Sequence, residues 1–200
     1  MQWYTLEEPQ SWGPPATIAS MPDQTEQQDL EGLKRLDSQV ISSIFDRFFP
    51  VVFRYVRYRV NDVAQSEDIA SDVFVRLLEA VKNRKGPDTN IKAWLLSTAS
   101  HAVNDHHRKN YRRPTEEISE SIQDLQASPA EASERRERQR RVQQALSKLT
   151  PEQQHVITLR FGQELSLEET AVVMKKNVNA VKQLQLRALA ALNRQIDEPL

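Results

Sequence analysis

The sequence predicts an all-α protein in which two small helical domains, an N-terminal bundle and a C-terminal helix-turn-helix unit, are joined by a flexible acidic linker. Three observations predict this class. Only 4 of the 200 residues are glycine and 6% are aromatic, which disfavours a turn-rich β-sandwich. Apolar residues recur every three or four positions in two separate stretches, as they do on one face of a helix. The polar segment between those stretches shows no such period.

Composition excludes several classes of protein. The chain has no cysteine, so disulfides, Cys-ligated zinc, iron–sulfur clusters and thiol chemistry are excluded. The apolar runs are far shorter than the ~20 residues that a membrane-spanning helix needs. The N-terminus lacks the basic and apolar regions of a signal peptide. We therefore expect a cytoplasmic protein without membrane insertion and without a cofactor.

The net charge of −1 hides a segregation of charge along the chain. Residues 1–37 carry a net charge of −5, residues 38–114 of +5, residues 115–137 of −5 and residues 138–200 of +4. Basic segments are candidates for binding a polyanion, whereas acidic tethers stay solvated or mimic one. The four blocks define an extension, a first domain, a linker and a second domain.

The extension at residues 1–37 contains four prolines among polar residues and shows no sustained period, so we predict that it is disordered. At Ser38 apolar residues begin to recur at helical spacing up to Pro50, and they resume after a kink or break. The inward positions of this stretch are Val40, Ile41, Ile44, Phe45 and Phe48, then Val52, Tyr55, Val56 and Val60.

Two further helices complete the first domain. Asp62 and Gln65 form a plausible capping box that opens a helix to about Val81. The range Asn83–Asn90, which contains Gly-Pro, predicts a loop. A long helix then runs over Ile91–Arg112 and stops before a proline. Its second half is basic (His106, His107, Arg108, Lys109, Arg112 and Arg113), which suits either a phosphate backbone or the negative end of the helix dipole.

The second domain opens with a strong helix start. Thr150 is placed as the N-cap and Pro151 occupies the first helical position. We expect this helix to end at Gly162 as a C-cap. The 23-residue acidic linker before it reaches at most ~80 Å when fully extended.

The strongest local signal is a helix-turn-helix pattern. Ser166 and Glu169 form a capping box for a short helix to Met174, and after three residues a longer helix covers 178–196. Its inward positions are Val181, Leu184, Ala188 and Leu192. Outward positions near its start can reach base edges and phosphates. An ordinary helical hairpin remains the alternative, and a rotated helix would give the reading role to Gln185 instead of Gln183.

An acidic stripe on the second helix of the first domain has two possible roles. Glu67, Asp68 and Asp72 suit either a solvated face or, together with His101, a metal site or an acid–base pair. His101 and Asp105 stand four residues apart, but two ligands do not make a site. A metal-dependent helical hydrolase is therefore the enzymatic alternative, although we expect a protein that is not an enzyme.

In order and spacing these motifs resemble a bacterial sigma factor of the extracytoplasmic-function type, in the sigma-70 family of RNA polymerase. The stretch from Asp62 to Leu77 resembles the polymerase-docking helix of the family, and Ile91 to Lys109 resembles the helix after its minus-10 recognition loop. In the second domain, Leu146 to Gln153 and Leu167 to Lys182 resemble the region that recognises the minus-35 element. The likeness covers about residues 38–114 and 138–196.

The resemblance implies three sets of site residues. The residues implied to bind core polymerase are Glu67, Asp68, Ser71, Asp72, Phe74 and Arg76. Those implied to bind minus-10 DNA are Asn83, Arg84, Lys85, Asn90, Trp94, His101, Asp105, Arg108, Lys109, Arg112 and Arg113. Those implied to bind minus-35 DNA are Lys176, Asn177, Asn179, Ala180, Lys182, Gln183, Leu186 and Arg187.

The partners implied by the resemblance are the RNA polymerase core enzyme and promoter DNA. Many members of the family are also held inactive by an anti-sigma factor, which makes such a partner a further expectation. A stand-alone helix-turn-helix regulator is the competing functional hypothesis, because it would bind duplex DNA without polymerase.

Overall fold

The computed structural model describes residues 24–60, 62–111, 141–142 and 144–196, and within these ranges it contains helices and no strand. The helices are α1 (Gln24–Lys34), α2 (Ser38–Arg57), α3 (Val63–Lys82), α4 (Ile91–Tyr111), α5 (Pro151–Ile157), α6 (Leu167–Met174) and α7 (Val178–Ile196). The all-α prediction is confirmed. In the described part of the chain, no helix combines the length and the apolar character needed to cross a bilayer.

Helix α1 corrects the expectation that all of residues 1–37 are disordered. Leu30 and Leu33 lie on one face of this helix and are buried in the core of the first domain. A side chain on Gly32 would lie 2.6 Å from Val40, so its absence lets α1 approach α2 closely. Sequence periodicity missed α1 because only two apolar residues on three turns define its inner face. Residues 1–23 lie outside the described residues.

Helix α2 runs without a break through Pro50, where the sequence suggested a kink or break. Asp37 caps its start by accepting a hydrogen bond from the backbone N–H of Gln39 at 2.9 Å. Proline removes one backbone hydrogen bond, but Ile44 before it and Tyr55 after it are buried on the same side. Packing on both sides of Pro50 therefore maintains one helix.

The starts of α3 and α4 follow the predicted positions. The Asp62 carboxylate accepts from the backbone N–H of Gln65 at 2.7 Å, and α3 begins at the next residue, Val63. The loop that follows contains Arg84 in the left-handed backbone region (φ 57°). Asn90 ends the loop and caps α4, because its side-chain oxygen accepts from the N–H of Ala93 at 2.7 Å.

In the second domain the predicted N-cap Thr150 and the predicted capping box of Ser166 with Glu169 are confirmed, and Thr150 additionally forms a capping box with Gln153. The helical segment ends at Gly162 as predicted, but the cap residue is Gln163 and not Gly162. Helix α5 is continued by a π-helical turn (Thr158–Gly162) in which no glycine has a positive φ. A side chain on Gly162 would instead lie 2.9 Å from the ring of Tyr58, the residue that caps the end of α2. This glycine permits a close approach between the two domains.

The two domains are in direct contact. Leu159, Leu165 and Val173 of the second domain belong to the same buried cluster as the core of the first domain. Helix α6 packs on α4, and the π-helical turn packs on α2. A smaller core inside the second domain includes Val156 and Val181. The acidic linker predicted at residues 115–137 lies outside the described residues.

Candidate polymerase and nucleic-acid binding surfaces

The outer side of α3 carries a row of acidic and small polar residues that we call the acidic face. Its exposed members are Glu67, Asp68, Ser71 and Asp72. The Asp72 carboxylate accepts from Arg76 Nε at 2.7 Å, and both side chains are about half exposed (48% and 41%). Such a surface ion pair contributes at most about 1 kcal/mol to stability, so these groups remain available to a partner.

Phe74 does not belong to the acidic face, although the resemblance placed it among the polymerase-binding residues. It is 7% exposed, and its ring centroid lies 4.9 Å from that of Phe45 and 6.1 Å from that of Phe49. Phe74 therefore supports α3 from inside. Val75, by contrast, is not among the predicted polymerase-binding residues, and its side chain is 52% exposed. Val75 follows Ser71 and Asp72 by four and three positions, so helical spacing alone could have placed it on the acidic face.

The loop before α4 presents three of the predicted minus-10 residues to solvent: Asn83, Arg84 and Lys85. Asn90, by contrast, uses its side-chain oxygen to cap α4. Trp94 is partly buried and packs against the core of the first domain. The loop is thus free for contacts, while these two residues have structural roles in this conformation.

The second half of α4 carries exposed basic residues on its outer side. His101, Arg108 and Lys109 are exposed, and the Asp105 carboxylate accepts from Arg108 at 2.9 Å. The predicted DNA contacts Arg112 and Arg113 lie outside the described residues.

The hydrolase alternative finds no metal site in the described chain. Among the residues described, no three or more His, Cys, Asp or Glu side chains gather where they could hold a metal ion. Glu67, Asp68, Asp72 and His101 are all described, and they are not gathered.

Helix α7 presents a second continuous outer face, which we call the reading face. Its exposed residues are Asn179, Lys182, Gln183, Leu186 and Arg187. Val181 and Ala188 on the opposite side are fully buried. This amphipathic pattern fixes the rotation of the helix in the domain.

The orientation of α7 distinguishes the two glutamines that could read bases. Gln183 is exposed, whereas Gln185 is partly buried and accepts a hydrogen bond from Arg160 Nε at 3.1 Å. The structure thus turns Gln183 outward and ties Gln185 to the body of the domain.

The turn before α7 is held by local contacts. Lys175 adopts the left-handed region (φ 53°), and the Asn177 side chain accepts from the backbone N–H of Ala180 at 2.7 Å. Lys176 forms an ion pair with Glu152 of α5 at 3.0 Å. Ala180 itself is partly buried. Asn177 therefore caps α7, and Lys176 joins the turn to α5.

The start of α6 stabilises negative charge. The pKa of Glu168 is lowered because its carboxylate accepts a hydrogen bond from its own backbone N–H and another from the Ser166 hydroxyl, with a smaller contribution from the positive charge of Lys182. Glu168 therefore remains ionised beside the reading face.

Comparison with known protein families gives two matches in chain order. Residues 44–113 match Sigma-70 region 2, and residues 145–194 match Sigma-70 region 4. Region 2 thus spans the acidic face and α4, and region 4 spans the helix-turn-helix unit.

Two curated relatives are RNA polymerase sigma factors of the extracytoplasmic-function (ECF) class. The chain is 32% identical over 160 residues to the ECF RNA polymerase sigma factor BldN of Streptomyces coelicolor, across 79% of this chain and 61% of that protein. It is 29% identical to the ECF RNA polymerase sigma factor SigX of Bacillus subtilis, across 77% of this chain and 82% of that protein.

Two solved structures share the fold. CnrH, in complex with the cytosolic domain of CnrY, has a TM-score of 0.64 at 21% identity and covers 86% of this chain and 97% of its own. The sigma factor RpoE of Bartonella quintana, in complex with the anti-sigma factor NepR, has a TM-score of 0.56 at 17% identity, over 78% of this chain and 98% of its own. With both region matches in order and two such relatives, the chain belongs to the sigma-70 family, in its extracytoplasmic-function class.

Proposed function

We propose that this chain is a transcription initiation factor that binds core RNA polymerase through the acidic face and promoter DNA through its two domains. The observation that carries the proposal is the presence of two oppositely charged outer faces, one in each matched region. The acidic face of α3 suits a basic protein surface, because complementary charges steer association. It does not suit DNA, whose phosphates would repel it.

The minus-35 element is assigned to the reading face of α7. The second helix of a helix-turn-helix unit lies in the major groove and contacts base edges with its N-terminal residues. Gln183 and Lys182 stand in that part of the exposed face, and Arg187 follows one turn later. An amide suits an adenine edge, and the two cations suit guanine or phosphate.

The minus-10 element is assigned to the loop at residues 83–90 and to the basic half of α4. Promoter opening needs a pocket for an unstacked base and cations for the backbone. Arg84 and Lys85 in the loop, with Arg108 and Lys109 on α4, are exposed and supply those cations. The acidic linker is assigned the role of an RNA mimic in the polymerase channel, on the strength of its net charge and its place between the domains.

This role is one of binding and needs no catalytic group, so we assign no enzymatic activity to the chain. It also places the chain in the cytoplasm, where polymerase acts. An anti-sigma factor completes the expected partners, as the family resemblance predicts.

The proposal is tested by transcription in vitro with purified core polymerase and a library of promoter fragments. We expect transcripts to start from a defined subset of fragments only when the chain is added. Tight binding to duplex DNA without polymerase, together with no polymerase-dependent transcript, would instead identify a stand-alone helix-turn-helix regulator.

A further inference from the structure

The two domains meet through a buried polar cluster between α2 and α5, which we call the interdomain cluster: Tyr55, Arg59, Gln154 and His155. Tyr55 is fully buried, and its hydroxyl lies 2.7 Å from Nδ1 of His155. The two rings meet edge to face, with centroids 5.6 Å apart. The second domain is thus seated on the first by a specific hydrogen bond as well as by apolar contact.

Arg59 is the centre of the cluster and is 8% exposed. It donates to Tyr55 Oη at 2.8 Å, to Asn104 Oδ1 at 2.6 Å and to Ser100 Oγ at 3.3 Å. It also donates to Gln154 Oε1 of the second domain at 3.1 Å. Among the residues that the structure describes, no carboxylate pairs with this buried cation. A buried charge without a counter-ion is costly, and neutral oxygens offset only part of that cost.

The surroundings of His155 favour its neutral ring. Arginine can only donate, so the Tyr55 oxygen accepts from Arg59. A protonated His155 would place a second positive charge in the same buried cluster as Arg59, again without a counter-ion among the described residues. Burial first, then the nearby charges of Arg59 and His101, lower the pKa of His155 to about 3. The charged and titratable groups that face His155 are therefore Tyr55 of α2, Arg59 just after α2, and His101 of α4.

The contact between the two domains also depends on a close fit at Gly162. The Tyr58 ring at the end of α2 lies so close to Gly162 that a Cβ atom there would approach two ring atoms to 2.9 Å. Since Gly162 has no positive φ, alanine suits its backbone, and only the neighbouring domain opposes the substitution. This pair offers a way to separate the domains without changing any charge.

We propose that the interdomain cluster is a latch that holds the free chain closed, and that the latch opens before the chain binds a promoter. That the latch opens before promoter binding rests on the proposed function. The minus-10 and minus-35 elements lie about 25 base pairs apart, which is about 85 Å at ~3.4 Å per base pair. A compact chain of this length is only about 45 Å across. Two domains in direct contact cannot reach both elements, so the linker must extend and the latch must break.

The closed form is tested by single-molecule energy transfer in the full chain. Because the chain lacks cysteine, Ser43→Cys and Lys148→Cys, at two exposed positions in different domains, can carry the dyes. We expect a single high-transfer population for the wild-type background at neutral pH. Gly162→Ala should raise the open population at least about tenfold, and adding Tyr58→Ala should restore closure because it removes the ring that clashes.

Acid supplies an independent measurement on the same labelled chain. A ring that titrates normally when open and near pH 3 when closed makes closure weaken below the ordinary histidine pKa. The ratio of open to closed molecules should rise about tenfold from about pH 7.5 to about pH 5.5. His155→Phe should abolish most of this rise, whereas His101→Gln should leave most of it.

The proposal is overturned if the wild-type chain shows the same broad low-transfer distribution as Gly162→Ala, or if Tyr58→Ala fails to restore closure in the double variant. These measurements use neither polymerase nor DNA. A failure of the latch would therefore leave polymerase-dependent transcription intact, and a failure of transcription would leave the closed population in place.

Discussion

Helices α3 and α7 are built in the same way and carry opposite charge. Each rests on a buried stripe, with Val73 and Leu77 under α3 and Val181 and Ala188 under α7. Each also has an exposed aliphatic residue among its charges. Val75 on α3 is 52% exposed, and Leu186 on α7 is 60% exposed.

In the proposed function, the sign of the charge separates the roles of the two helices. Carboxylates on α3 exclude nucleic acid and favour a basic protein surface, whereas cations and amides on α7 favour the major groove. The exposed aliphatic residue suits both uses, since it offers contact area to a protein surface or to a thymine methyl. The following experiments test whether each helix serves the partner that its charge selects.

The largest expected effect is the loss of stability on replacing Phe74, which is buried although its neighbour Val75 is exposed. Phe74→Ala should lower the free energy of unfolding by about 3–5 kcal/mol, because it removes a buried ring. Val75→Ala should change it by less than about 0.5 kcal/mol and should still weaken binding to core polymerase. Urea unfolding and a polymerase pull-down measure the two quantities. Equal stability losses in both variants would contradict the assignment of inner and outer sides.

Reversing the charge of α3 should come next. Asp68→Lys with Asp72→Lys should weaken binding to core polymerase at least a hundredfold, about 2.7 kcal/mol, because attraction becomes repulsion. The helical content should not change, since both side chains are exposed.

The matched control for this reversal changes two exposed acids away from α3. Asp46→Lys with Asp88→Lys alters the net charge by the same amount and should keep polymerase binding close to that of the wild type. If the α3 variant co-purifies with core polymerase as well as this control does, the acidic face is not the docking surface.

On α7, the expected effect concerns one base position. Gln183→Ala should change the preferred upstream element at about 1–3 kcal/mol for the lost base contact. Gln185→Ala is the matched control, because Gln185 is bonded to Arg160 in the domain. Promoter selection with holoenzyme measures both. A shift in preference for Gln185→Ala alone would show that α7 is rotated on DNA.

The smallest effect is a change in salt dependence. Arg187→Ala should weaken all promoters together and lower the slope of log affinity against log salt by about one, since one phosphate contact is lost. Lys148→Ala removes an exposed cation of the same domain that is not part of α7, and its slope should stay unchanged. A sequence-specific loss for Arg187→Ala would assign it to a base instead.

Most of the fold could be predicted from the sequence because local chemistry determined it. The side chains of Asp62, Thr150 and Ser166 each cap a helix as their spacing predicts. Phe74 shows where the family resemblance and the helical spacing disagree. Its spacing with Ala70 and Leu77 predicts an inward position, and the packing of Phe45 and Phe49 against its ring confirms that prediction. The resemblance alone placed Phe74 at the polymerase-binding surface.

The contact between the domains could not be predicted from periodicity. Tyr55 and His155 are 100 positions apart, and no local pattern pairs a tyrosine with a distant histidine. Gly162 shows the same limit, because the sequence suggested a helix cap whereas the structure assigns it to a close approach by Tyr58. Long-range packing determines both.

Helix α1 has a practical consequence for the boundaries of the folded unit. The match to region 2 begins at residue 44, yet Leu30 and Leu33 are buried and Asp29 pairs with Arg47. A fragment cut at the family boundary would leave the side of α2 that α1 covers exposed to water. Shortened versions of this protein, whether for domain swaps with relatives or for expression, should therefore begin no later than Gln24.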